Sequence, residues 1–213
     1  MEGLRERKKR EARVAIAEAA TLLFAERGFD TVTVAEVAAA AGVSAKTVFN
    51  YFPVKEDLVL DGRQRIEEEL LLAVSNRPVG SSVIGAVKAH TLEVARHLNQ
   101  MPLARRQRFR KVLASSPSIK ARLRSLSLET EQRLAELLAE ETRAARDDPR
   151  PRLAAAILIT LSHLAYGFDS GAEGAPPNLR TTVRRIERAF DLVAHGLDDY
   201  AMRRWAPGPF GGI

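Results

Sequence analysis

The chain has 213 residues, 33 Lys and Arg against 27 Asp and Glu, a net charge of +6 and no cysteine. That length buries a proper core as one large domain or two small ones, and the missing cysteine excludes disulfides and thiolate metal sites. No apolar run reaches the length of a bilayer span, and the polar, basic start from Met1 to Arg13 has no signal-peptide core, so a cytoplasmic protein without a membrane partner is expected; its positive balance favours a polyanionic partner.

The N-terminal run GLRERKKREAR is net basic and leads into a helix whose apolar face carries Ile16, Ala20, Leu23 and Phe24. Arg27-Gly28-Phe29 reads as its end, with Gly leaving the helix and an apolar residue closing over it. Arg5, Arg7, Lys8, Lys9 and Arg10 would project from its start as an arm able to reach phosphates or a neighbouring groove. A solvated, disordered terminus is the alternative.

The stretch from Thr31 to Lys55 reads as two short helices joined by a tight turn. Thr33 and Glu36 make a capping box, Val32 and Val37 a hydrophobic staple, and the helix starts at Val34. Gly42 stands where the chain must turn with positive φ. Ser44 caps a second helix that Phe52-Pro53 stops after about two turns, because the residue before proline is pushed out of helical φ/ψ. Val48 and Phe52 give this helix one buried face, and Ala45, Lys46, Thr47, Asn50 and Tyr51 leave the other suited to base edges and phosphates. A helix-turn-helix unit lays such a helix in the DNA major groove; an αα-corner with no DNA role has the same local pattern.

The run from Leu22 to Leu58 resembles the DNA-binding head of the TetR family of transcriptional regulators. The marks stand in order: Phe-Ala-x-x-Gly-Phe from Phe24, Thr-Val-x-x-Val-Ala from Thr33, Ala-Gly-Val-Ser from Ala41 and Tyr-Phe-Pro-x-Lys-Glu from Tyr51. The resemblance implies an all-helical homodimer, a body that binds a small-molecule effector, and release from operator DNA on binding it. It implies DNA contacts at Thr33, Ser44, Ala45, Lys46, Thr47, Asn50 and Tyr51, and a phosphate contact by Lys55 at the start of the next helix. Two residues depart from the family's pattern. Lys46 stands where the family often has Gly, and Phe49 replaces a common Tyr, losing a hydroxyl that often reaches a phosphate.

Beyond Pro53 the sequence predicts a long helix from about Lys55 to Asn76, with Leu58, Leu70, Leu71 and Val74 inward, and another from Ser81 to Asn99, with Val83, Val87, His90, Val94 and Leu98 near one face. His90 and His97 are too far apart on it for the usual metal pair, so no metal site is expected. Arg105 to Arg124 is rich in cations and holds no carboxylate; it reads as a solvated face, or as an attractor for an anionic effector or DNA. A further helix is predicted from Ser118 to Arg146. Leu153 to Phe168 is apolar nearly all round, as in a helix buried on several sides. After a Gly- and Pro-containing loop, a last helix from Leu179 to Arg204 carries a seam of Val183, Ile186, Phe190, Val193 and Leu197 at spacings of three and four. That seam, with Leu161 on the preceding helix, is the candidate dimer interface. The tail 205–213 is expected to be mobile.

The expected fold is all-α: an N-terminal arm and three-helix helix-turn-helix head over 1–54, with the motif at about 33–52, and a larger helical effector-binding and dimerisation domain over 55–204. No motif points to catalysis or a bound cofactor, so no enzyme is expected. His90, Phe109, His163 and Tyr166 are the candidate effector-lining residues. The function that follows is a sequence-specific, homodimeric repressor of a near-palindromic operator on double-stranded DNA. The alternatives are a basic architectural DNA-binding protein without an operator, or an all-helical enzyme or carrier.

Overall fold

The computed structural model describes residues 3–166 and 177–195. Among them are nine α-helices and a short 3-10 turn. α1 (Leu4–Arg27), α2 (Val34–Ala40) and α3 (Ala45–Tyr51) form the head. α4 (Asp57–Ser75), α5 (Val83–Gln100), α6 (Leu103–Ser115), α7 (Pro117–Thr142), α8 (Arg150–Ser162) and α9 (Leu179–His195) form the body, with the 3-10 turn at His163–Tyr166 after α8.

The head is set by its caps. Thr33 accepts from the Glu36 amide while the Glu36 carboxylate takes the Thr33 amide at 2.7 Å. That amide first, and the Arg27 guanidinium second, hold the Glu36 carboxyl down to about 2. Val32 and Val37 are fully buried around this cap. At the other end of α2, Gly42 has φ +68, its amide bonds Ala39 O and the Val43 amide bonds Ala38 O, the paired bonds of a Schellman turn. Ser44 then caps α3 through the Thr47 amide at 3.0 Å, and Phe52 ends it in extended backbone, buried.

Two apolar cores follow, and they do not part at residue 54. The first joins Ile16, Phe24, Val37, Val48 and Phe52 of the head to Leu58 of α4 and to Val112, Ile119 and Leu126 of α6 and α7. The second gathers Leu70 and Val74 of α4 with α5, α7, α8 and α9. α4 and α7 therefore run through both cores, and of the two α4 is the helix that follows directly on the head.

Several boundaries differ from the sequence reading, each for a local reason. α1 starts at Leu4, so the basic arm is a helical extension of the head. The chain breaks between α6 and α7 at Ser116, whose buried hydroxyl donates to Asp30 of the head at 3.0 Å. α7 stops at Thr142 because Arg143 takes the left-handed conformation at φ 51, with its own Schellman pair of bonds. α8 is not covered on all sides: Ala155, Leu158 and Ile159 are buried, but Leu153 is 61% exposed.

The seam on α9 is also placed differently. Ile186 and Phe190 are buried against α5 within the chain, as is Leu161 on α8. Val183 and Val193 are half-buried. The three-and-four spacing that suits a partner helix suits a helix of the same chain equally, and α5 fills it. Leu197 and the tail 205–213 lie outside the described residues.

Gly42 has open space around its Cα, so only its φ resists a side chain. Gly42→Ala is expected to cost about 1–2 kcal/mol of unfolding free energy by urea denaturation, the penalty of a left-handed non-glycine residue.

Candidate DNA-reading head and effector cavity

α3 is seven residues long and buries Val48, with Phe52 just beyond it. Its opposite side is open: Ser44, Lys46 and Asn50 are exposed, and Phe49 is 50% exposed. Thr47 and Tyr51 are half-buried, and Ala45 packs partly against the head core. The Ser44 and Thr47 hydroxyls lie 2.8 Å apart and share a hydrogen bond. Thr33 is exposed at the start of α2, its hydroxyl on the Glu36 carboxylate at 2.8 Å. One exposed surface therefore presents a cation, an amide, hydroxyls and an aromatic edge.

Lys55 does otherwise. It precedes α4, and its ammonium donates to Phe29 O at 2.6 Å while lying 4.4 Å from the Phe29 ring centroid. That bond helps close the head over the end of α1 and uses one of the three ammonium donors, so two remain for a phosphate. The helix start it was assigned to lies two residues further on, at Asp57.

The body holds a cavity of about 990 Å³ between α1, α4, α5 and α6, with the 3-10 turn and the start of α9 at one end. His90, Phe109 and Tyr166 line it, as expected, and so does the exposed His97. His163 does not. His163 is half-buried, and burial first, then the nearby Arg63 charge, pushes it down to about 3. Burial also lowers His90 and raises the Tyr166 phenol to about 12. Both histidines are neutral near pH 7. No group of metal-ligating side chains occurs among the described residues.

The cationic stretch is only partly a solvated face. Arg106 and the buried Arg110 of α6 line the cavity, whereas Arg122 of α7 ties to α4 through Asp57 at 3.0 Å. The sequence reading missed the polar core of α4: Arg63 and Glu67 are both buried. A signal was present, because Leu60, Arg63, Glu67, Leu70 and Val74 share one helical stripe. Charges on a core-facing stripe mark a buried pair.

A compact head presenting one short polar helix, fused through a shared helix to a cavity-bearing helical body, defines a helix-turn-helix DNA-binding protein with a separate ligand-sized chamber. Residues 16–61 match the family described as "Bacterial regulatory proteins, tetR family". The match covers the head, which carries the DNA-binding domain of this family. The chain is 29% identical over 214 residues to the HTH-type transcriptional regulator TcmR of Streptomyces glaucescens, covering 86% of this chain and 91% of that one. In structure it is similar to NalD, the secondary repressor of the MexAB-OprM multidrug efflux pump in Pseudomonas aeruginosa, with TM-score 0.53, 21% identity and coverage of 85% and 96%. It is also similar to SmeT in its complex with triclosan, with TM-score 0.54, 16% identity and coverage of 84% and 91%. At these identities the structural likeness shows the fold.

His163 sets a pH dependence. The unfolded chain takes up a proton near 6.5 while the folded ring resists it down to about 3, so stability falls as pH drops through that window. His163→Leu is expected to lose less stability than the parent between pH 6.5 and 3, read from urea midpoints at each pH.

Proposed function

We propose that the protein is an operator-specific repressor, acting as a homodimer in the cytoplasm and released from DNA by a small molecule bound in the body cavity. The observation that carries this reading is α4. Its first turn belongs to the head's core, and its later turns line the cavity. Asp57 binds Arg122 of α7 at 3.0 Å, and Asp61 binds Arg13 of α1 at 2.6 Å. An effector that fits a different setting of α4 would move the head, and with it α3, by shifting the population toward the state it binds better. SmeT, similar in fold, forms a complex with triclosan, which supports a small-molecule effector for this chain.

A two-turn helix reads too few base pairs to locate a site alone, whereas a two-fold pair of heads reads half-sites about 34 Å apart. With the α9 seam filled inside the chain, one apolar surface open to a partner copy among the described residues is the outward side of α8. Leu153 is exposed there, with Ile157 and Leu164 half-buried on the same side. The contacts with DNA are assigned to Ser44, Lys46, Thr47 and Asn50 on α3, to Tyr51 at its end, and to Thr33 on α2, with Ala45 close to the bases.

Lys46→Ala and Asn50→Ala are each expected to weaken binding to an operator selected in vitro by about 1–3 kcal/mol if they touch bases. The footprint should be a discrete near-palindrome, and sedimentation should give twice the 23.4 kDa chain mass. Uniform, salt-sensitive retention of any DNA would instead favour the architectural reading.

A further inference from the structure

The wall of the cavity contains a guanidinium whose hydrogen bonding is incomplete. Arg63 of α4 is 5% exposed and lines the chamber. Its position is fixed on two sides: Nε donates to Glu67 Oε1 at 2.7 Å, and the guanidinium carbon lies 4.0 Å from the centroid of the Tyr166 ring. Glu67 is fully engaged, since its other oxygen accepts from the Thr130 hydroxyl of α7 at 2.7 Å. The guanidinium also reaches the Tyr166 phenol, while Nη1 is buried with no hydrogen-bond partner among the described residues. Nε of Arg106, on α6 and also at the cavity, is buried in the same condition.

A guanidinium nitrogen only donates and stays charged at any working pH, so what completes it must be an acceptor. Charged acceptors make the stronger bond, and away from water the difference grows. The acids around the chamber do not serve. Asp61 is held by Arg13 at 2.6 Å, Glu18 faces Arg105 at 3.6 Å, and Glu69 and Glu93 are exposed to solvent. The rest of the wall is largely apolar, including Val59, Ile66, Val94, Leu98 and Phe109.

We infer that the cavity takes an amphipathic organic anion, its apolar body against these side chains and its anionic group toward the Arg63 guanidinium, with Arg106 as a second cation on the cavity lining. A neutral apolar molecule fills the same volume but leaves both donors unmatched. At about 990 Å³ the chamber is at the upper end of the range for drug-sized ligands, so the apolar body extends over several rings or a long chain. This inference rests on the cavity being the effector site.

The test uses two fluorescent probes of one scaffold, the anionic anilinonaphthalene sulfonate and neutral phenylnaphthylamine, titrated into the full-length protein. Removing Arg63 alone would leave Glu67 buried without its cation, so the variant is the pair Arg63→Met/Glu67→Gln, which removes both charges and keeps an acceptor for Thr130. The parent is expected to bind the sulfonate about tenfold or more tighter than the amine, and the paired variant to lose that preference while holding the amine as before. Arg106→Gln should reduce sulfonate affinity in the same direction. Equal affinity for the two probes in the parent, or a sulfonate affinity untouched by the paired variant, overturns the inference and leaves an apolar effector site standing. If the sulfonate binds through Arg63 but operator affinity does not change, the anion site stands and the release reading fails.

Discussion

Asp57 is a carboxylate only 3% exposed, placed in the first turn of α4, which with α7 runs through both apolar cores. It can be there because Arg122 of α7 reaches it at 3.0 Å and Gln64 adds a longer contact at 3.3 Å. The helix N-terminus favours the same charge. An ion pair buried on its carboxylate side contributes little to stability over an apolar contact, but losing Arg122 would leave the Asp57 charge uncompensated. The pair therefore fixes where α4 stands relative to α7. Arg13 to Asp61 does the same between α1 and α4, and Ser116 to Asp30 between the α6–α7 corner and the head.

These ties make the head and body one mechanical unit. The head contributes Phe52 and Phe24 to a core completed by Val112 and Ile119 from the body, so a tilt of α4 or α6 cannot leave the head where it was. The cavity is walled by the same two helices. Close-packed interiors shift between discrete arrangements rather than deform smoothly, so under the proposed release mechanism ligand occupancy would select between two head settings. The recognition surface itself needs no ligand to form: its caps at Thr33 and Ser44 are local and complete.

The head was legible in the sequence because its determinants are short-range. The Thr33–Glu36 box, the Gly42 turn, the Ser44 cap and the Phe52-Pro53 stop each lie within a few residues, and the structure shows each of them. The body was legible as helices but not as packing. The seam of Ile186 and Phe190 signals a partner helix without saying whether that helix belongs to the same chain, and α5 lies 103 residues away along the contact from Lys88 to Asp191. The bond from Lys55 to Phe29 O was not legible for a similar reason, since it is set by the tertiary fold of α1 against α4. Arg63 and Glu67 could have been found, because charge on an apolar stripe is visible without coordinates.

If one helix couples the cavity to the DNA-reading surface, then binding at the two places must be reciprocal: whatever factor a ligand takes from DNA affinity, DNA must take from ligand affinity. The most direct measurement is the dissociation constant of anilinonaphthalene sulfonate for the free protein and for the protein saturated with its selected operator. The account expects weaker probe binding on DNA, by the same factor as the probe weakens operator binding. Equal probe affinity in the two states would contradict it.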